Sequence, residues 1–327
     1  MKPAVLVTGA SGMLGAHLAR RLVERGHAVR LLLRSRRHPL LESLAVDERR
    51  GELERPADVE EAIEGCSIVF HAAGLVSYRR SDADALHRSN VLATRNVVRA
   101  ALKARVSRLV HTSSTAAIGW SATPDRALGE DAVEPENLRS IPYAWSKRLG
   151  EEEVLAGVRD GLDAVIVNPA TIFGWGDVHR RTAGSLCALR AGRLRAVPPG
   201  GLSVVSVEDA VEGHLLALDR GRSGRRYILA AENVTYREFF RRAADALGVT
   251  PPRRVLPRAS ERLLAPLARV AEVVWPAGPL SRASCAILYR YRFHDASRAR
   301  NELGWRPRVA LEEAAADAVR FFEERRA

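Results

Sequence analysis

The sequence predicts an α/β protein in which a doubly wound, mostly parallel sheet is joined to a smaller C-terminal lobe. Three observations carry that prediction. A short apolar run is followed at once by three spaced glycines and an apolar-periodic stretch. Strand-like and helix-like segments then alternate at intervals that suit right-handed crossovers between parallel strands. Near residue 175 the pattern changes, and a Pro/Gly loop and longer helical stretches take over.

Taken in order, residues 4–8 (Ala4-Val5-Leu6-Val7-Thr8) form a buried strand, and glycines 9, 12 and 15 make the turn after it. Leu14, Leu18, Leu22 and Val23 recur with helical period, and Gly26 ends that helix. Residues 28–33 are a second strand, 59–63 lie in a helix beyond a polar loop, and 68–70 are a third strand leading into His71-Ala72-Ala73-Gly74. A helix over 84–104, a strand over 109–112, a helix over 143–156 and a strand over 164–167 continue the alternation. A helix at 180–191, the loop Pro198-Pro199-Gly200-Gly201, a strand at 204–207, a helix at 208–219 and a strand at 227–230 follow. Helices are expected at 236–247, 260–274 and 311–325, the last after Leu303-Gly304-Trp305-Arg306-Pro307. The expected division is a sheet domain over 1–175, with later returns near 202–230, and a second lobe over 176–327.

Composition narrows the function classes. The 327 residues are 46% hydrophobic and 28% charged, which is ordinary for a folded soluble protein and excludes a disordered or collagen-like chain. No apolar run approaches the roughly 18–20 residues that span a bilayer. Met1-Lys2-Pro3 enters the first strand directly, without the apolar stretch of a secretory signal, so a cytoplasmic protein is expected. Cys66, Cys187 and Cys285 are far apart, which argues against a disulfide framework and a zinc knuckle. The histidines show no metal-ligand spacing. The net charge of +12 invites a nucleic-acid reading, yet all but three (Lys2, Lys103, Lys147) of the 51 basic residues are arginines spread along the chain. The expectation is a compositional preference for arginine with no specific nucleic acid; anionic ligands such as phosphates are the alternative. The stretch 261–275 is amphipathic, with Leu263, Leu264, Leu267, Val270, Val273 and Val274, and reads as a helix covering a pocket or core, with a membrane-surface contact as the lesser reading.

Four constellations carry chemistry. In Thr8-Gly9-Ala10-Ser11-Gly12-Met13-Leu14-Gly15, Gly9 permits the tight turn, Gly12 lets backbone approach a pyrophosphate and Gly15 lets the helix pack on the sheet. The helix N-terminus adds unpaired N–H groups and the positive dipole end, so a Rossmann-type dinucleotide site is expected. Tyr143 and Lys147 are one helical turn apart on one face. A free phenol titrates near about 10, and a neighbouring ammonium would lower that value so that the tyrosine can exchange a proton with a carbonyl or alcohol oxygen. Ser113-Ser114 ends the strand at 109–112, at the sheet edge where open α/β sheets hold ligands. At the end of the second strand Leu33 stands where NAD enzymes carry an acid, and Arg34 follows. An arginine there can pair with a 2′-phosphate, so NADP(H) is preferred over NAD(H).

The Gly-x-x-Gly-x-x-Gly spacing, His71-Ala72-Ala73-Gly74, Ser89-Asn90-Val91, Thr112-Ser113-Ser114, Tyr143-Ala144-Trp145-Ser146-Lys147, Asn168-Pro169-Ala170 and the Leu303–Pro307 tail occur in the order of one family. With them the chain resembles the extended branch of the short-chain dehydrogenase/reductase superfamily, the NAD-dependent epimerase/dehydratase family. Its pattern is most similar to the dihydroflavonol-4-reductase-like group, which includes proteins labelled hopanoid-associated sugar epimerases. The resemblance implies Ser114, Tyr143 and Lys147 as the catalytic trio, with Ser113 the runner-up for the hydroxyl. It implies Glu52 and Leu53 near adenine, and Ala72, Ala73, Gly74, Asn168 and Pro169 beside the nicotinamide half. Lys147 would also bond the ribose, and His71 would be a structural donor near the cofactor. Ala116 and the lack of a carboxylate after Ser114 depart from the dehydratases, and Leu202-Ser203 replaces an Arg-Asp pair common in nucleotide-sugar enzymes. The implied activity is hydride transfer, without a metal, between nicotinamide and a ketone or secondary alcohol of a bulky small molecule, as in dihydroflavonol reductases and 3β-hydroxysteroid dehydrogenases. The alternatives are a nucleotide-sugar 4-epimerase and, more remotely, a non-catalytic dinucleotide sensor. A homodimer through helices 84–104 and 143–156 is implied.

Overall fold

The computed structural model describes residues 4–34, 36–133, 138–275 and 281–324. Ser35, Met1 to Pro3 and the last residue of the expected 311–325 helix therefore lie outside the described residues. In chain order the first half comprises β1 (Ala4–Thr8), α1 (Met13–Glu24), β2 (Val29–Leu33), β3 (Asp47–Arg50), α2 (Pro56–Ile63), β4 (Cys66–His71), α3 (Ala83–His87), α4 (Ala93–Lys103), β5 (Arg108–Thr112), α5 (Pro142–Arg159) and β6 (Ala164–Pro169). The second half adds β7 (Thr171–Phe173), α6 (Ala183–Arg190), β8 (Ala196–Val197), β9 (Gly201–Ser206), α7 (Val207–Arg220), β10 (Arg226–Leu229), β11 (Glu232–Thr235) and α8 (Tyr236–Leu247). It ends with β12 (Arg254–Val255), α9 (Glu261–Val274), α10 (Arg282–Leu288), β13 (Tyr291–Arg292) and α11 (Leu311–Glu324).

Seven strands form the large sheet in the order β10-β6-β5-β4-β1-β2-β3, all parallel. Its inner strands are apolar because helices bury both faces. One face carries α1 and α7, through Ala16, Leu18, Leu22, Ala210 and Leu215. The other carries α2, α4 and α5, through Val59, Ile63, Val97, Val98 and Val154. The chain runs outward from β1 through β2 to β3, then returns to β4 and runs the other way, so the strand order reverses between β1 and β4. Crevices at such a reversal, at the carboxyl ends of the strands, are where these sheets bind ligands.

Of the expected later returns, β10 joins the large sheet, whereas β9 lies in a second sheet between antiparallel β11 and parallel β13, with β7 also pairing β9. Phe173, Leu186, Phe239, Phe240, Ala315 and Val319 pack α6, α8 and α11 on this smaller sheet. The expected helix at 84–104 is interrupted by a π-helical turn, Arg88–Leu92. The amphipathic stretch at 261–275 corrects the expectation of a covering helix. Helix α9 buries only Ala268 fully, against Cys285 and Tyr289, while Leu263, Leu267, Val270, Val273, Val274 and Trp275 are exposed.

Candidate active site

The glycine loop fills the crevice at the strand reversal. Gly9 has φ +77°, and a Cβ there would stand 2.5 Å from the Ala73 nitrogen and 2.6 Å from the Ala72 carbonyl carbon. The loops after β1 and β4 thus close on each other only because residue 9 has no side chain. A Cβ on Gly15 would lie 2.4 Å from the Gly9 oxygen, so α1 packs directly on the turn. At Gly12 the nearest atom to a Cβ would be the Gly9 oxygen at 3.5 Å, leaving a cradle that a side chain would fill. Helix α1 begins there with no side-chain cap and no acid in its first turn. Half-buried Ser11, Met13 and Leu14 flank this end. Such a cradle of uncapped N–H groups fits a pyrophosphate.

Arg34 stands exposed just past β2, after buried Leu33. Glu52 and Leu53 follow β3. The Glu52 backbone N–H donates to Asp58 Oδ2 (2.8 Å), and the Glu52 carboxylate lies 3.4 Å from Arg55. Leu53 packs on the core, and its carbonyl accepts from Asn96 Nδ2 (2.9 Å). Asp58 therefore shapes this loop, a role visible in the sequence only as an acid in the first turn of a helix.

At the carboxyl ends of β5 and β6 the other residues converge. The Ser114 hydroxyl acts on the Tyr143 phenol and favours its ionised form. The Ser113 hydroxyl points elsewhere and donates to Glu151 Oε1 (2.5 Å), which also accepts from Asn168 Nδ2 (2.6 Å). Asn168 Nδ2 is also 3.0 Å from the Ser114 carbonyl, and Pro169 ends β6. Lys147 is buried and donates to the Thr112 carbonyl (2.7 Å). Gly74 adjoins it, since a Cβ there would lie 3.6 Å from Lys147 Nζ and 3.1 Å from Asn90 Oδ1. Asn90, in the π-helical turn, clamps the loop after β4 to α5 through both Leu75 backbone groups (2.8 and 2.9 Å) and Ser146 Oγ (2.8 Å).

The electrostatics differ from the expectation in one respect. Burial pushes the Tyr143 phenol well above its ordinary value, with Tyr78 adding to the rise. The groups that pull it down are Ser114, Arg292 and Arg181, not Lys147. The physical reason is the order of titration: the lowered Lys147 loses its proton before the raised phenol does, so it carries no charge when Tyr143 ionises. Burial lowers Lys147 to about 8, and Glu151 opposes that shift. The Glu151 side chain is 1% exposed and meets Arg226 at 3.4 Å and Arg148 at 3.9 Å.

His71 has both ring nitrogens engaged, Nδ1 with Thr8 Oγ1 (2.8 Å) and Nε2 with Thr94 Oγ1 (3.1 Å). Thr94 already donates to the Asn90 carbonyl, so Nε2 carries the proton and Nδ1 accepts from Thr8. Burial holds this ring neutral, at about 3. It braces the loop rather than exchanging protons.

Next to Tyr143 the wall is apolar and aromatic. Tyr78 sets its ring edge-on to Tyr143 at 5.6 Å, and Trp120, Trp145, Leu138, Ile141 and Ile287 extend the cluster. Arg292 Nη2 donates to the Tyr236 hydroxyl (2.8 Å), while its Nε is buried with no partner among the described residues. Sequence reasoning missed Glu151, although it continues the Tyr143, Lys147 spacing by one more turn. It also missed Tyr78 and Arg292, which carry no local signal.

The sequence pattern of the NAD dependent epimerase/dehydratase family matches residues 5–230. A candidate dihydroflavonol 4-reductase from Synechocystis sp. is 35% identical, covering 99% of this chain and 95% of its own length. Sterol demethylase protein B from Methylococcus capsulatus is 34% identical over 98% of both chains. Among solved structures, gox2253 superposes with a TM-score of 0.86 at 33% identity, covering 99% of each chain. The family pattern spans more than half of the chain and these relatives nearly all of it, around a glycine cradle at the strand reversal. The chain belongs to the NAD dependent epimerase/dehydratase family and is an NAD(P)-dependent enzyme of the extended short-chain dehydrogenase/reductase type.

Proposed function

We propose that the protein is an NADP(H)-dependent oxidoreductase acting on the ketone or secondary alcohol of a bulky, largely apolar molecule. The observation that carries this reading is the Ser114–Tyr143 hydroxyl pair set against the wall of Tyr78, Trp120 and Trp145. The names of the relatives, a reductase and a sterol-processing protein, support the same substrate class.

The pyrophosphate falls to Gly9, Ser11, Gly12, Met13, Leu14 and Gly15, and the 2′-phosphate to Arg34. Glu52 and Leu53 border the adenine. Ala72, Ala73, Gly74, Asn168 and Pro169 border the nicotinamide half, with Lys147 donating to its ribose. Bound nicotinamide supplies or accepts the hydride. In reduction, Ser114 holds the carbonyl oxygen and Tyr143 delivers the proton to it. The raised Tyr143 value keeps the phenol protonated at neutral pH, the form that reduction requires. Arg292 and Arg181 stabilise the phenolate left behind, and Glu151 positions Asn168 and holds Ser113 away from the substrate. The proposed assembly is a homodimer through α4 and α5, working in the cytoplasm; monomeric sedimentation at micromolar concentration would remove the dimer.

The nucleotide-sugar 4-epimerase reading draws on one observation, the guanidinium groups of Arg292 and Arg181 beside Tyr143, which suit a diphosphate. Net chemistry separates the two. Stoichiometric NADPH consumption with an apolar ketone supports the oxidoreductase, whereas C4 inversion of a nucleotide sugar with no net change in nicotinamide overturns it. Tyr143→Phe removes only the hydroxyl and should lower turnover by about 10²–10⁴-fold with NADPH binding nearly intact. Full activity of that variant would refute the assignment of Tyr143.

A further inference from the structure

Helix α9 carries an apolar face that nothing in the described chain covers. Leu263, Leu267, Val270 and Val274 stand at i, i+4, i+7 and i+11, a single stripe, and Val273 borders it. These five side chains are 58% to 78% exposed, and Trp275 just beyond the helix is 64% exposed. The charges are sorted by side. Both acids of the helix turn toward the protein: Glu261 accepts from Arg290 (2.9 Å) and Glu272 from the Arg282 backbone N–H (3.0 Å). Arg262 and Arg269 lie exposed along one edge of the stripe, and exposed Arg253 and Arg254 precede the helix.

We propose that α9 seats the protein on the surface of an anionic lipid bilayer, with the apolar stripe in the acyl boundary and the arginines among the headgroups. Charge complementarity selects this occupant. The outward face offers guanidinium groups and no carboxylate, so it repels the same face of a second copy and attracts anionic lipid. An exposed tryptophan at the end of the stripe suits the headgroup level. A helix of this length lies in the interface and does not cross it; among the described residues no helix is long and apolar enough to span a membrane.

The position gives the contact a use. Beneath α9, Ala268 packs on Cys285 and Tyr289 of the α10 segment. The other side of α10, through Ala283 and Ile287, joins the cluster of Leu138, Ile141, Tyr78 and Trp145. Ser281 at the start of α10 donates to the Tyr78 carbonyl (2.7 Å). The exposed stripe is thus one helix away from the wall beside Tyr143. The inference goes beyond the oxidoreductase reading and does not depend on it, because lipid binding is measured without substrate.

The test is co-sedimentation of the full chain with vesicles of phosphatidylglycerol and phosphatidylcholine, and with phosphatidylcholine alone. The parent protein should partition onto the anionic vesicles, less so as salt rises. Leu267→Ser/Val270→Ser/Val274→Ser should reduce partitioning by about tenfold or more. Arg262→Glu/Arg269→Glu should abolish the preference for anionic lipid. All five positions are exposed, and circular dichroism and NADPH binding of both variants should match the parent. No partitioning of the parent, or equal partitioning of the triple variant, overturns the proposal. So does a concentration-dependent dimer that the triple variant dissociates while vesicles bind neither protein, because the stripe is then a subunit interface.

Discussion

Replacing Glu151 with glutamine changes one charge in the site and almost no shape. The amide oxygen of Gln can still accept from Ser113 Oγ and Asn168 Nδ2, which both donate to Oε1 of the native carboxylate. What disappears is the influence that raises Lys147 against its burial. A carboxylate and an ammonium one helical turn apart, at about 6 Å and an effective dielectric of about 20, attract by about 3 kcal/mol. Arg226 at 3.4 Å and Arg148 at 3.9 Å already compensate part of that field. We take half of it as the net effect, about one pKa unit. Lys147 should therefore fall from about 8 toward neutrality in Glu151→Gln. In the proposed site the Lys147 ammonium donates to the cofactor ribose, so NADPH affinity should drop as pH rises through the lysine's titration. Fluorescence titration of NADPH across neutral to alkaline pH reads this directly. The falling limb should be centred near pH 8 for the parent and about one unit lower for Glu151→Gln, and should be missing in Lys147→Met. A limb at the same pH in the parent and Glu151→Gln would show that the carboxylate does not set the state of Lys147, and the reasoning fails.

Arg34→Asp should weaken NADPH binding and raise relative use of NADH, measured as the ratio of the two dissociation constants; tighter NADH than NADPH binding by the parent would remove the premise. Gly12→Ala should fold normally, because a Cβ there meets no atom closer than 3.5 Å, yet lose dinucleotide affinity, whereas Gly15→Ala should lower thermal stability because its Cβ would be 2.4 Å from a backbone oxygen. Acid should unfold the protein early. Burial lowers His71 to about 3 and His17, His214 and His294 to about 4, from 6.5. Between 6.5 and about 4 the unfolded chain binds protons that the folded chain refuses, so stability falls with pH there by up to about 1.4 kcal/mol per unit for each histidine. Buried Glu130 and, at the surface, Glu208, whose values are raised, offset part of this. A denaturant midpoint that stays flat from pH 7 to 5 would contradict it.

What the sequence made legible and what it hid divide along physical lines. Strands β1, β2, β4, β5 and β6 could be read because burial on both faces demands runs such as Ala4-Val5-Leu6-Val7. Strand β3, Asp47-Glu48-Arg49-Arg50, has no apolar pattern at all. It exists because the edge of the sheet pairs it with β2 and because its charges find partners, Asp47 with Arg30 (2.6 Å) and Glu48 with Arg37. The same distinction runs through the site. Gly9, Gly12, Gly15, Tyr143 and Lys147 answer to constraints within one turn or one helix, so spacing alone reveals them. Glu151 obeys that spacing too, yet a glutamate on a helix ordinarily marks a solvent face. Ser113 and Asn168, from two different strand ends, are what make this one a buried charge. Tyr78 and Arg292 reach the site from segments more than two hundred residues apart and leave no local trace.

Helix α9 shows the same limit from the other side. Its amphipathic period is plain in the sequence, but a period defines a face and not the medium that the face meets. Had the apolar stripe been the packing side, Glu261 and Glu272 would point to solvent and Ala268 would be exposed. The reverse holds, and both acids are engaged with backbone or side chains of the protein while the arginines face out. The helix thus packs on α10 through Ala268 and Leu264 and leaves five large aliphatic side chains outside. A folded chain leaves that much apolar surface in water only at a cost of about 25 cal/mol per Å². A partner that takes up the stripe, and carries negative charge where the arginines stand, recovers that free energy.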